Sequence, residues 1–176
     1  MGFERETVEI LDGSKEELLV IPLSGGRTVH AREVPIHLWA DIHAANPRPE
    51  EPVDEVETAA GTTELVRPKA DDPRWIRYYI EIDEYTDKIS RIIQRVRWYY
   101  AFKGIVEVPD DWEVPEIFRL SGVETSTDKI DRLVQYVRYE ILRTKSDKET
   151  LDAAVSGIVP ESEREASRAL FRKSSE

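Results

Sequence analysis

The side chains best suited to chemistry are carboxylates, and a group of them gathers at Glu81, Asp83, Glu84 and Asp87. Carboxylates serve as general acid and base only where burial or a neighbouring charge retunes their pKa values. At these steps the four fall on the polar side of a helical pattern. Asp83 and Asp87 form a like-charge i,i+4 pair, and Glu84 and Lys88 a favourable one. The spacing reads as a solvated helix face. The histidines are His30, His37 and His43. His37 and Asp41 stand four apart, as two metal ligands on one helix face must. His43 points elsewhere and no third ligand follows at useful spacing, so exposed or capping roles account for them. Ser24-Gly25-Gly26-Arg27 has the glycines of a phosphate loop but lacks G-x-x-x-x-G-K-[ST], and a strand pattern follows it. It reads as a hairpin turn. No G-x-S-x-G or H-E-x-x-H appears. With no Cys, thiol nucleophiles, disulfides and Cys-type zinc sites are excluded. The expectation is a chain without catalytic residues, metal or cofactor.

A different constellation carries more weight. Arg91 to Gly104 (RIIQRVRWYYAFKG) mixes Arg91, Arg95, Arg97 and Lys103 with Trp98, Tyr99, Tyr100 and Phe102. Cations interleaved with aromatics stack on nucleic acid, and the same residue types anchor protein interfaces. They also suit a helix C-terminus, with cations near its carbonyls and rings in the core. A net charge of -11 and a pI near 4.9 oppose the first of these, because such a chain repels phosphate backbones. Core and protein interface remain. The candidate protein-binding residues are Trp75, Tyr79, Arg95, Trp98, Tyr99, Tyr100 and Phe102.

The elements that must position these residues follow from pattern. Glu17 to Leu23 is an apolar run of strand length, and after the Ser24-Gly25-Gly26 turn Arg27 to Val34 alternates loosely, with Val29, Ala31 and Glu33 on one face. An earlier strand is expected at Glu6 to Leu11, closed by Asp12-Gly13-Ser14. Pro35 opens a short helix, IHLWADIHAA, with Ile36, Trp39, Ala40 and His43 on one side, stopped by Asn46-Pro47. Residues 46–52 (NPRPEEP) form a proline-rich acidic linker. Val53 to Thr58 and Thr63 to Arg67 then read either as a second, exposed hairpin or as part of a flexible arm.

The strongest element begins at Asp72, a capping residue, with Pro73 at the first helical position. Neither Pro nor Gly interrupts it before Gly104, so it reaches roughly 45 Å at 1.5 Å per residue. Trp75, Ile82, Tyr85, Ile89, Ile92, Val96 and Tyr99 follow three- and four-residue steps. Ile76, Ile80, Ile93 and Tyr100 add a second stripe, making the apolar face wider than a coiled-coil seam. A short helix is expected from Pro115 to Leu120. Another, capped by Ser126 or Thr127, runs to about Arg143 with Ile130, Leu133, Val134, Val137 and Ile141 inward. Ser146-x-x-Glu149 has capping-box spacing ahead of Leu151, Ala154 and Val155. Gly157 and Pro160 close that helix, and a last amphipathic piece runs to Arg172.

The fold class expected is α+β: a small β-hairpin-rich N-terminal part, then a mostly helical bundle around one long helix. The divisions are 1–45 (hairpin plus short helix), 46–70 (acidic arm or exposed hairpin) and 71–176 (helical bundle). The chain's 176 residues with 40% hydrophobic and 35% charged content suit much solvated helix surface. No apolar run approaches the ~20 residues of a membrane span. The acidic N-terminus MGFERETVEI lacks an apolar core of signal-peptide length, so secretion is not expected.

Taken in order, these features resemble the tail assembly chaperones of long-tailed bacteriophages. The likeness is carried by the hairpin with its Pro-led helix (PIHLWADIHAANP), the acidic arm (NPRPEEPVDEVE) and the Pro-capped long helix (DDPRWIRYYIEIDEYTDKISRI). It continues through the G-I-V-E-V-P-D-D-W turn and the Tyr/Arg-rich helix (IDRLVQYVRYEIL), covering about Leu18 to Phe171. The resemblance implies a protein that coats the helical, aggregation-prone tape measure protein, and the major tail tube protein as a further partner. It implies work in the host cytoplasm without cofactor, membrane or nucleic acid, and absence from the mature virion. Pairing of the long helix with a copy of itself stays open. The other function that fits is a structural adaptor or connector of the virion.

Overall fold

The computed structural model describes residues 2–155. It is an α+β fold, with antiparallel strands near the N-terminus, one long helix and several shorter ones. Strands β1 (Glu4–Glu9), β2 (Lys15–Pro22) and β3 (Thr28–Ala31) form an antiparallel sheet in that order. Gly13 at φ 82° closes the first turn, where Asp12 Oδ1 accepts from the Ser14 amide (2.9 Å) and hydroxyl (2.6 Å). Register places Leu19 opposite Ala31 and Ile21 opposite Val29. Leu18, Leu19 and Ile21 are all buried. Since neighbours along a strand point to opposite faces, the central strand is covered on both sides. That is why it reads as a continuous apolar run and not as an alternation.

Helix α1 (Ile36–Ala45) occupies the expected span, but its inward face differs. Ile42 is buried, whereas Ile36 is 66% exposed and Ala40 and His43 face out. Leu38, Trp39 and Ile42 are the less exposed positions, at three- and four-residue steps. A two-stranded ribbon follows, β4 (Asp54–Glu57) against β5 (Thr63–Val66), with Asp54 opposite Val66 and Glu57 opposite Thr63. Of the two readings of this stretch, the exposed hairpin is the one formed. Its surface is less polar than the pattern suggests, since Val53, Val56, Leu65 and Val66 are all exposed.

Helix α2 spans Pro73–Phe102, 30 residues, about 45 Å. Asp72 Oδ1 accepts from the Arg74 amide at 2.8 Å, meeting one of the donors a helix start leaves open. Gly104 at φ 73° ends the segment. All seven residues of the first expected stripe are buried or half-buried, while Ile76, Ile80 and Tyr100 of the second are exposed. The Arg74 guanidinium, then its backbone N–H, hold the Asp72 carboxyl down at about 2 from an ordinary 3.8. A depressed carboxylate stabilises the fold above its unfolded pKa, and that stabilisation fades as pH falls through the native value. Lowering pH from about 4 to about 2 is therefore expected to fray the first turn of α2, read as faster amide exchange at Arg74 and Trp75. Unchanged protection over that window would remove the Asp72 cap from this account.

Helix α3 (Glu116–Arg119) is short, and α4 (Lys129–Tyr136) continues into a π-helical turn, Val137–Ile141. The α4 cap is Asp128, whose carboxylate accepts from the Ile130 and Asp131 amides. Ser126 and Thr127, expected in that role, lie two residues and one residue before it. Helix α5 (Lys145–Val155) buries Leu151, Ala154 and Val155 as its pattern requires. Its capping box is formed by Thr144 and Asp147, not by Ser146 and Glu149. The Asp147 amide donates to Thr144 Oγ1 (3.1 Å), and the Thr144 amide to Asp147 Oδ2 (3.3 Å). The stop at Gly157 and Pro160 and the amphipathic piece to Arg172 lie outside the described residues.

Two compact units result. One comprises residues to 36 with those from 95 onward, the other residues 37–94. The sheet is thus not a separate N-terminal domain. Within the first unit the backbone bonds Leu11 N to Gly104 O (2.9 Å), Arg32 N to Ala101 O (2.9 Å) and Val34 N to Val155 O (3.1 Å) join its N-terminal segment to the ends of α2 and α5 and the turn after α2. Arg32 adds an ion pair with Glu16 at 2.6 Å and a hydrogen bond to the Lys103 carbonyl. That places a cation where the carbonyl end of a helix favours one. Among the described residues no helix is long and apolar enough to cross a membrane.

Candidate functional site

The basic and aromatic end of α2 divides between core and surface. Trp98, Ala101 and Phe102, at i, i+3 and i+4, are 0% exposed. Trp98 and Phe102 therefore pack in the interior, where no partner reaches them, and of the two readings of these residues theirs is the core. Tyr99 is half-buried beneath the Lys103 ammonium, 5.6 Å from the ring centre. Tyr100 is partly exposed. Arg95 is engaged by Asp131 and, at 3.5 Å, by Asp128. Arg97 lies 3.7 Å from the Asp152 carboxylate and donates to its carbonyl. Burial pushes the Arg97 pKa down and Asp152 partly restores it. A phosphate backbone would have to compete with these carboxylates for both guanidinium groups.

The other end of the helix, within the second unit, presents an apolar surface. Trp75 stacks on Tyr79 (6.0 Å between centres, 26°) and meets Tyr78 edge-on at 5.9 Å. Its indole N–H donates to the Lys69 carbonyl at 3.1 Å, which holds the ring in place. Tyr78 is buried, while Ile76, Tyr79 and Ile80 are 68, 59 and 55% exposed. Steps of three and four put these three on one face. Arg74 bonds Asp54 (2.7 Å) and approaches the Val53 carbonyl (3.4 Å), tying the ribbon to the helix start. The sequence pattern marks Trp75 and Tyr79 as anchors and puts Ile76 and Ile80 on the wide apolar face, but it gives no such role to Val56 and Leu65. For the two isoleucines the signal was the second apolar stripe. For the ribbon there was none, because half-exposed valines look the same in a covered strand.

Three of the remaining candidates make contacts within the chain. Glu81 pairs with Arg77 at 2.8 Å, the i,i+4 pair that forms on this polar face. His30 meets Glu6 at 3.0 Å, and His43 Nδ1 lies 3.5 Å from the Tyr85 hydroxyl. Among the described residues no three His, Asp or Glu side chains gather at metal-binding distance. The glycine turn after β2 does hold an anion, and the anion is the chain's own. The Ser24 amide (2.6 Å) and hydroxyl (2.9 Å) and the Arg27 guanidinium (3.1 Å) all donate to the Asp147 carboxylate, which is 2% exposed. Burial raises the carboxyl pKa, but the donors from Ser24 and Thr144 outweigh it and the net shift is downward.

Comparison with protein-family models, with curated proteins and with solved structures found no match.

Proposed function

We propose that this chain is a non-catalytic binding protein, a tail assembly chaperone of a long-tailed bacteriophage. It binds and solubilises the tape measure protein, with the tail tube protein as a second client. The observation that supports this best is the exposed set Ile76, Tyr79 and Ile80 on a 30-residue helix. Large apolar side chains at three- and four-residue steps are what a helical client with its own apolar stripe buries. Many copies along one long client multiply a weak grip through avidity. The excess of acids over bases, 36 to 25, keeps such complexes soluble. On this reading the protein acts in the host cytoplasm and leaves before the virion is complete.

Co-expression with the tape measure protein tests the reading. Wild type is expected to keep the client soluble and to co-purify with it. Tyr79→Ala combined with Ile80→Asp should weaken capture by at least about tenfold, the loss typical of anchor residues, without lowering thermal stability. A client that stays insoluble and uncaptured would sink the proposal. Mass spectrometry of purified particles separates it from a virion adaptor, which would be present in fixed copy number.

A further inference from the structure

The first unit contains a half-open cleft of about 280 Å³ between α3, the π-turn and α5. Its walls carry Arg138, Arg143 and Lys148 beside the rings of Phe118 and Tyr139, and Leu142, only 1% exposed, lies among them. The π-turn accounts for the arrangement. The Leu142 amide bonds the Val137 carbonyl at 2.8 Å, five residues back, and such turns recur at functional sites. Residues 138, 139, 142 and 143 share one side of that turn. Tyr139 packs against Phe118 with centres 4.5 Å apart, and the Arg138 guanidinium lies 5.6 Å from the Tyr139 centre. Arg143 Nε donates to the Glu140 carbonyl at 3.1 Å, a neutral partner.

In a chain with 36 acids, Arg27, Arg32, Arg74, Arg95 and Arg119 all have carboxylate partners. Among the described residues Arg138, Arg143 and Lys148 meet no carboxylate within ion-pair distance, and no carboxylate lines the cleft. Among the described residues Arg91 and Arg132 also meet no carboxylate, and what marks the cleft is that three such cations line it together. Two guanidinium groups present forks suited to oxyanions, and an ammonium adds a third charge. Next to them, the tilted pair Phe118 and Tyr139, 34° between planes, adds aromatic surface.

We propose that this cleft binds a small anion carried on an aromatic body, an aryl carboxylate or aryl phosphate. The oxyanion sits among Arg138, Arg143 and Lys148, and the ring packs on Tyr139 and Phe118. The volume is just under that of usual drug-sized pockets, so the ligand is a single ring with its charged group. The inference is independent of the chaperone reading.

Calorimetric titration with four probes tests it: phenyl phosphate, phenylacetate, inorganic phosphate and benzyl alcohol. Saturable binding of phenyl phosphate or phenylacetate is expected at about 1 mM or tighter, with inorganic phosphate and benzyl alcohol at least about tenfold weaker. Affinity should fall as salt rises from about 0.05 to about 0.5 M. The double variant Arg138→Gln with Lys148→Gln should bind at least about tenfold more weakly, the effect of losing a charge-assisted hydrogen bond, at an unchanged melting temperature. Four results would overturn the proposal. They are no saturation by either aryl anion, equal binding of inorganic phosphate or benzyl alcohol, no salt dependence, and full affinity in a folded double variant.

Discussion

Replacing Asp147 by Ala is expected to destabilise the protein by about 3 kcal/mol, the lower end of what breaking a buried charge pair costs. The lower end applies because Arg27 is about one-third exposed. The carboxylate is nevertheless a hub. It receives the Ser24 amide and hydroxyl, the Arg27 guanidinium and the Thr144 amide. Truncation strands the donors that converge on a carboxylate only 2% exposed, and an unmet buried donor costs more than a hydrogen bond gains. A melting temperature lower by roughly 6–12 °C follows for a chain of this size. Asp147→Asn recovers little, because its amide N–H₂ must face other donors. Carboxylate linkage gives a second readout. The native pKa is depressed, so this stability is present above the unfolded value near 3.9 and is lost as pH falls through the native one. Wild-type stability should decline below about pH 4, and the Asn variant, lacking that proton site, should decline less. A loss under about 1 kcal/mol for Asp147→Ala would show that the carboxylate is not the link between turn and helix.

That link was only half legible in the sequence. The stretch Thr144-Lys145-Ser146-Asp147-Lys148-Glu149 contains two overlapping signatures of a helix start, Thr-x-x-Asp and Ser-x-x-Glu. Local rules rank them evenly. The choice is made by Ser24 and Arg27, more than a hundred residues away in the chain, and no local pattern registers a partner at that distance. Elements governed by near neighbours were legible for the converse reason. Pro73 after Asp72 and Gly104 at the far end bracket α2, and its dihedral requirements are met within a few residues. Helix α1 shows the boundary between the two cases. Its ends follow from Pro35 and Asn46-Pro47, yet its inward side is set by what packs against Ile42. In a ten-residue helix with apolar groups nearly all round, periodicity does not choose a face. The candidate surface was legible as an apolar stripe, while which parts of that stripe stay exposed was not.

Trp98→Ala is expected to cost about 3–5 kcal/mol, the range for deleting a fully buried aromatic ring. The indole is 0% exposed beside Ala101 and Phe102, and its N–H donates to the Asp152 carboxylate at 3.2 Å. Losing the ring opens a cavity that fixed neighbours refill only in part. Trp98→Phe keeps most of the apolar volume and loses the N–H donor, so about 1–2 kcal/mol is expected. Tyr100→Ala, two residues on and partly exposed, should stay within about 1 kcal/mol of wild type. Urea unfolding at constant m-value ranks the three, and a Trp98→Ala cost no larger than that of Tyr100→Ala would return Trp98 to the surface. The series also bears on binding, since aromatic residues at this end of α2 satisfy a core and an interface equally well by type. A core residue weakens client capture only through the unfolded fraction, so capture by Trp98→Ala should recover on cooling toward its stability maximum. If Tyr79 is an anchor, as the proposed function has it, its replacement weakens capture in a protein that melts like wild type. On the proposed function, that pair of signatures would place the gripping surface on the N-terminal half of the long helix and leave its aromatic C-terminal end to hold the fold together.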